Sequence, residues 1–241
     1  MKKRILAGVL ACAMMTSLAA CGSQSSNAGA EQGTTGETVA QVEFKGNDNS
    51  SSKVLIAYFS YFDNTDGEKI NSKQYADAMA SCSVTVVDGK RRGNNDIVAD
   101  MLAEQTGADQ FSILTSQKYS PDYDGGVVSQ AQIDGKNKVK PELASHISNL
   151  DQYDTVILLF PTWWYDMPMA VYTFLDEYDL SGKTIAPIAT SGGSGLVDTV
   201  AAIKKEEPGA NVTDGLAIYQ DDITKADPDI SAWLSKIGIS K

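Results

Sequence analysis

Five short apolar runs recur along the chain: VLIAYF (54–59), QFSIL (110–114), TVILLF (155–160), TIAPIAT (184–190) and GLAIY (215–219). The first and third, and less cleanly the fourth, lack alternation, which is how strands read when both their faces are covered. Between the runs the apolar spacing lengthens to that of helices. Ile97, Val98, Met101 and Leu102 share one face, ended by Gly107. Leu143, Ile147 and Leu150 follow Pro141, a favoured first-turn residue, and predict a second helix. Met169, Tyr172 and Leu175 predict a third, a weaker fourth begins near Leu196, and Ile230, Trp233, Leu234 and Ile237 make a fifth. Strand and helix patterns alternate, so the expected fold is a doubly wound α/β domain, a parallel sheet with helices on both sides.

The rhythm breaks between Tyr61 and Gly93, where more than thirty residues separate the first strand from its helix. A few residues would normally suffice. Within this segment SVTVVDGK alternates and ends in Asp88-Gly89, a hairpin turn pair, so residues 61–93 read as an inserted excursion carrying a small β-ribbon.

The beginning of the chain has a different character. Lys2, Lys3 and Arg4 precede a mostly apolar stretch from Ile5 to Leu18, then Leu18-Ala19-Ala20-Cys21. That order is a secretory signal over residues 1–20, and Leu-Ala-Ala-Cys resembles the bacterial lipobox, whose cysteine is lipidated. About fourteen apolar residues fall short of the roughly twenty that a spanning helix needs. A plain secretory signal cut before Cys21 is the other reading. Lipidation of Cys21 predicts an extracytoplasmic protein anchored to a bacterial cell membrane. Residues 21–52 are mostly Ser, Gly, Thr, Gln, Asn and Glu and read as a disordered tether. Residues 53–241, about 190 in all, then form one domain.

Loss of residues 1–20 leaves 17 basic residues against 31 acidic, a net charge of −14. So acidic a surface repels phosphate backbones and excludes nucleic acid as a partner. Of the three cysteines, Cys12 leaves with the signal and Cys21 carries lipid. Cys82 is left without an internal disulfide partner, and no Cys/His cluster offers a metal site.

Ligands of open α/β sheets bind outside the carboxyl ends of the strands, and three loops at such ends are unusual. One begins Ser60-Tyr61-Phe62. Another is Pro161-Thr162-Trp163-Trp164-Tyr165, in which large aromatics stand where solvent begins. The last is Thr190-Ser191-Gly192-Gly193-Ser194-Gly195, whose glycines let backbone N–H groups approach a ligand. Each alone is an ordinary turn or core plug; their coincidence at three strand ends points to a bound flat molecule.

From VLIAYFS through GNNDIVADMLAEQTGADQF to YDTVILLFPTWWYDMPMAVYTFLDEYDLSGKTIAPIATSGGSG, the chain resembles the flavodoxin-like family, in the form with a long insertion after the first strand. The resemblance spans about Lys53 to Ile237. It implies a five-stranded sheet of order 2-1-3-4-5 and non-covalent FMN at its carboxyl edge. It places Pro161, Thr162, Trp163, Trp164 and Tyr165 along the isoalloxazine, with one of the three rings stacking on it, and Ser191, Gly192 and Gly193 on the other side. A flat redox-active ring suits aromatic faces and backbone donors. The family's phosphate loop reads S/T-x-T-G-N-T and runs straight into the first helix. Here Ser60 is present, the insertion intervenes, and the later half appears as Gly93-Asn94-Asn95-Asp96, with Asn95 where a Thr is expected. Asp63-Asn64-Thr65 is a nearer match without a helix pattern after it. Gly93, Asn94 and Asn95 are preferred because helix N-termini attract anions, although Asp96 opposes a phosphate dianion.

The resemblance thus implies an FMN-binding redox protein, either an electron carrier or a small FMN-dependent reductase, with the acidic surface suited to a basic redox partner. A flavin-free binding or scaffold lipoprotein of the same fold is the alternative. A serine hydrolase, suggested by Gly192-Gly193-Ser194-Gly195, fails because the nucleophile elbow needs Gly at position 196 and a later histidine. Position 196 is Leu, and the single histidine, His146, comes earlier on a helix expected to be exposed.

Overall fold

The unalternating aliphatic runs become the centre of a parallel sheet in the computed structural model, which describes residues 40–46, 53–70, 83–122 and 126–239. The signal segment, Cys21, most of the tether and the middle of the insertion, with Cys82, lie outside the described residues. In chain order the strands are β1 (Val42–Phe44), β2 (Val54–Tyr58), β3 (Val84–Val87), β4 (Lys90–Gly93), β5 (Asp109–Ser112), β6 (Ser145–Ile147), β7 (Thr155–Pro161), β8 (Thr184–Ser191), β9 (Asn211–Val212) and β10 (Leu216–Tyr219). The helices are α1 (Asn94–Thr106), α2 (Val128–Asn137), α3 (Met169–Glu177), α4 (Thr199–Glu206) and α5 (Asp227–Lys236).

Across the main sheet the order is β5, β2, β7, β8, β10, all parallel, with the two residues of β9 also pairing along β8. Taking the five long strands in sequence order, this is 2-1-3-4-5. Side chains of β2 and β7 alternate between two cores. Leu55, Ala57, Val156, Leu158 and Phe160 point to one face, where Val171, Phe174 and Leu175 of α3 cover them. Ile56, Ile157 and Leu159 point to the other, against Val98 and Leu102 of α1 and Ile230, Trp233 and Leu234 of α5. Both faces are dry, so no position on these strands has reason to be polar.

Two local expectations are corrected. The segment around Leu143 to Leu150 is not a helix: Ser145–Ile147 is strand β6, followed by a short 3-10 turn at Leu150–Gln152. A spacing of four fits both periods, since Leu143, Ser145 and Ile147 also share one side of a strand, and all three are buried. The strand forms because it has a partner: Val42–Phe44, within the stretch read as tether, pairs with it in parallel, Glu43 opposite His146. His146 is therefore on a strand, its ring between Glu177 Oε1 at 2.5 Å and Gln41 Oε1 at 2.6 Å. The helix in this region is α2, which buries none of its residues and so carries no apolar period to read.

The insertion contains the expected ribbon. β3 and β4 pair antiparallel across Asp88 and Gly89, both with positive φ (50° and 75°). The last residue of β4, Gly93, caps α1. The hairpin thus delivers the chain directly to a helix N-terminus beside the end of β2. Among the described residues no helix is long and apolar enough to cross a membrane.

Candidate functional site

At the carboxyl end of β7 the three rings separate. Trp163 is 8% exposed and packs edge-on against Phe59, Tyr61 and Tyr119, at centroid distances of 5.3, 6.0 and 5.4 Å. It is a core ring. Trp164 and Tyr165 are 42% and 74% exposed. The cause is backbone geometry. Trp163 and Asp166 exchange both backbone hydrogen bonds (2.8 and 2.9 Å), and Trp164 and Tyr165 both have positive φ, 50° and 63°. This is the form of a type I′ turn, whose central positions favour Asn-Gly over large side chains. Such strain persists only when its surroundings impose it, and it collects at ligand sites. Asp166 supplies the constraint: its Oδ1 accepts from Met167 N (2.8 Å) and from Tyr172 Oη (2.7 Å), and Lys138 Nζ lies 3.6 Å from its Oδ2. The sequence reading missed Asp166, although an Asp closing a turn before Met-Pro is an Asx-type signal.

The β8 loop is tied to this turn. Thr162 N donates to Thr190 O (2.9 Å), and Thr162 Oγ1 donates to Gly195 O (2.7 Å). Ser191 Oγ accepts from Gly195 N at 2.9 Å and from Gly193 N at 3.4 Å, so the serine organises its own loop. Gly193 has φ of 136°, which an L-residue rarely adopts. Pro161, Thr162, Ser191, Gly192 and Gly193 thus form one rim with the Trp164–Tyr165 turn beside it.

The third loop gives a different result for the anion end. Asn95 is 3% exposed and both ends of its amide are in use: Nδ2 donates to Phe59 O (2.7 Å) and Oδ1 accepts from Thr190 Oγ1 (2.8 Å). It joins the ends of β2 and β8 instead of presenting a donor outward. Asn94 Oδ1 accepts from Thr85 Oγ1 and its N–H donates to Ser83 O, which holds the ribbon on the helix. Asp63-Asn64-Thr65 is structural too. Asn64 Nδ2 donates to Ser60 O and Ile113 O, its Oδ1 accepts from Thr115, and Thr65 Oγ1 donates to Tyr119 O.

What remains at this helix end is polar. A Cβ on Gly93 would stand 2.3 Å from both Ser60 Oγ and Asp96 Oδ2, so only glycine fits the crossing. Gly93 N donates to Asp96 Oδ2 at 2.9 Å, half of a capping box. Ser60 Oγ and Asp96 Oδ1 are both buried at this end, and the hydroxyl favours the charged form of the carboxylate. Burial, then the nearby Asp63 carboxylate, pushes Asp96 up to about 6, against the pull of Ser60, the Gly93 amide and Arg92. Burial likewise raises Asp63, whose Oδ2 accepts from Ser112 Oγ at 2.9 Å. The rim therefore fits a flat ring. The helix end fits a phosphate only if Asp96 is neutral.

A cavity of about 520 Å³ opens on the α2 side of the turn, between Tyr119, Ile133, Trp163, Trp164, Met167 and Met169. Neither the β8 loop nor the helix end contributes to its walls.

No curated protein matches the chain. Among solved structures, a protein from Bacteroides eggerthii assigned as a flavoprotein is similar at 26% identity and a TM-score of 0.58, over 79% of this chain and 100% of its own. One from Bacteroides uniformis, similarly assigned, is 23% identical with a TM-score of 0.54, over 76% of this chain and 98% of its own, and shares the fold. The model of the flavodoxin family matches residues 84–237, from the first strand of the ribbon through the last helix, and the chain belongs to that family.

Proposed function

We propose that the chain is an FMN-binding redox protein, an electron carrier or small flavin reductase, held at the outer face of a bacterial membrane by lipid on Cys21. The observation that supports it most is the exposed, strained Trp164–Tyr165 pair beside the Thr162-tied glycine loop. A bound flavin supplies the redox chemistry; the chain's part is to hold and bias it. Trp164 and Tyr165 offer ring faces, and the loop at Ser191 to Gly193 offers backbone groups. Ser60 Oγ and the Gly93 end of α1 are the residues for the phosphate. The acidic surface favours docking to a basic redox partner and disfavours added negative charge on the ring, which lowers its potential.

The test is the visible spectrum of the purified chain, soaked with FMN and then reduced with dithionite. A flavin band that survives desalting and bleaches on reduction supports the reading. No retained flavin, no fluorescence quenching and no thermal stabilisation would leave the flavin-free scaffold, which the carboxylate at the helix end favours. The anchor is tested separately. Cys21→Ser should accumulate unprocessed, because the acyl chains attach through that sulfur; normal maturation and wild-type fractionation would refute lipidation.

A further inference from the structure

The cavity beside the Trp163–Asp166 turn has two unlike walls. One is core: Tyr119, Trp163, Met167 and Met169 are each less than a tenth exposed, yet all border the space. The other is α2, which buries none of its residues and presents Ile133, 56% exposed. An aliphatic side chain opposite thioethers and an indole gains burial only when something lies between them. Gly135 of the same helix also borders the space. Its φ is not in the left-handed region and a Cβ there would meet nothing within 4 Å, so neither backbone nor packing calls for glycine. Glycine inside a helix costs stability relative to alanine. Here it keeps the α2 side of the cavity open.

The core wall also carries a polar group with nothing to bind. Tyr119 is 5% exposed and firmly held. Its N–H donates to Asn64 O (2.7 Å), its carbonyl accepts from Thr65 Oγ1 (2.8 Å), and its ring stands edge-on to Phe59 and Trp163 at centroid distances of 6.0 and 5.4 Å. Burial, then the Asp134 carboxylate, raises the phenol well above its ordinary value, so it stays protonated and can donate. Among the described residues no hydrogen bond takes up that donor. Buried groups of this kind are normally paired. The charges around it balance. Asp134 and Lys136 border the cavity from α2, and Asp166, which faces Lys138 Nζ at 3.6 Å, borders it from the turn. Two carboxylates and two ammonium groups leave no net charge for a ligand to offset.

We propose that this cavity is a binding site for a small, flat, uncharged molecule with one hydrogen-bond acceptor, a carbonyl being the best match to the Tyr119 hydroxyl. Its rings lie against Trp163, Met167 and Ile133, since thioethers and indole edges favour aromatic surface. The volume of about 520 Å³ falls within the roughly 300–1,000 Å³ of small-molecule sites. The apolar walls supply the affinity and the hydroxyl sets the orientation, because a molecule of the same shape without an acceptor leaves the phenol unpaired. None of Ser191, Gly192 and Gly193 lines the cavity. It is therefore a second site, and it stands whether or not a flavin binds the rim.

The probes are coumarin, which is flat, uncharged and carries a carbonyl, naphthalene, of similar shape without an acceptor, and the 2-naphthoate anion. Methionine-methyl NMR of the full chain in detergent reads the site through Met167 and Met169, with Met101, packed on the other core, as the control. Coumarin should shift Met167 and Met169 saturably, leave Met101 in place, and bind more tightly than either of the other probes. Tyr119→Phe keeps the ring and its packing, so it should weaken coumarin by roughly two- to tenfold and leave naphthalene unchanged. Gly135→Trp should abolish the shifts by filling the space. No saturable shift, equal shifts at Met101, tighter binding of 2-naphthoate, full coumarin affinity in Tyr119→Phe or retained binding in Gly135→Trp each overturn the proposal. Displacement of coumarin by FMN does the same, since the cavity would then be the flavin's own. The flavin reading survives every one of these results. The wild-type titration needs no substitution, so a poorly folding variant does not remove the test.

Discussion

Tyr165 should cost the protein stability and return it as ligand affinity. The residue is 74% exposed, so little burial is lost on removing its ring, while its backbone sits at φ of 63°. The left-handed region costs an ordinary L-residue roughly 1–2 kcal/mol. Glycine adopts it freely but gives back about 0.5–1 kcal/mol through greater freedom in the unfolded chain. Tyr165→Gly should therefore stabilise the apo-protein by about 0.5–1 kcal/mol, and a domain of this size gains roughly 2–4 °C in Tm per kcal/mol. Flavin binding should move the other way: loss of one stacking face is worth about 0.5–1.5 kcal/mol, a several-fold weakening. Thermal unfolding without ligand and fluorescence titration with FMN measure the two effects separately. A variant less stable than the parent would refute the strain argument. One that is stabilised but binds flavin equally well would remove Tyr165 from the ring site.

Other substitutions around the same loops have equally definite expectations. Trp163→Ala should lose about 3–5 kcal/mol in urea unfolding, because three aromatic neighbours lose their packing partner; Trp164→Ala should cost under about 1 kcal/mol, its ring being half exposed. Asn95→Thr, which would restore the threonine of the family's loop, should destabilise by roughly 1–3 kcal/mol, since Phe59 O and Thr190 Oγ1 lose buried partners. Asp96 is raised from 3.8 to about 6 on folding. Its contribution is full below the unfolded value and is lost as pH rises through the folded one, so stability should fall between about pH 4 and 6. Asp96→Asn should flatten that part of the stability–pH curve by an amount on the order of 1–3 kcal/mol, and an unchanged curve would show that the carboxylate is better solvated than its surroundings suggest.

The sheet was legible because strands dry on both faces have nothing to hide: β2 and β7 contain no polar residue until their ends. Their order followed from the family resemblance, and the ribbon from Asp88-Gly89. Two kinds of element were not legible. Helix α2 buries nothing, so its period left no trace, while Leu143 and Ile147 carried a spacing that helix and strand share equally. Among the described strands β1 pairs with β6 alone, and three residues in a polar stretch give no sign of a partner about a hundred positions away. Within the aromatic loop it was legible that one ring could face a ligand. Which ring turns inward was not, because that depends on two positive φ angles that neither Trp nor Tyr announces.

The helix end was the hardest to read, for a reason general to such sites. The first N–H groups of any helix need acceptors, and a ligand phosphate and the chain's own carboxylate satisfy them by the same physics. An Asp three residues after the capping position is favourable on both the cap and the dipole, which makes Gly93-Asn94-Asn95-Asp96 a good helix start whether or not an anion ever binds. Sequence alone therefore cannot separate the two uses. Position does. The insertion brings Gly93 across Ser60, a contact so close that a single Cβ would close it, and the buried hydroxyl there favours the Asp96 carboxylate. The serine thus serves the helix's own cap, through the carboxylate that accepts from Gly93 N. Ser60, the Gly93 amide and Arg92 pull against burial and Asp63 at one carboxylate, so this helix start is complete in itself and a phosphate brought there would meet an acid.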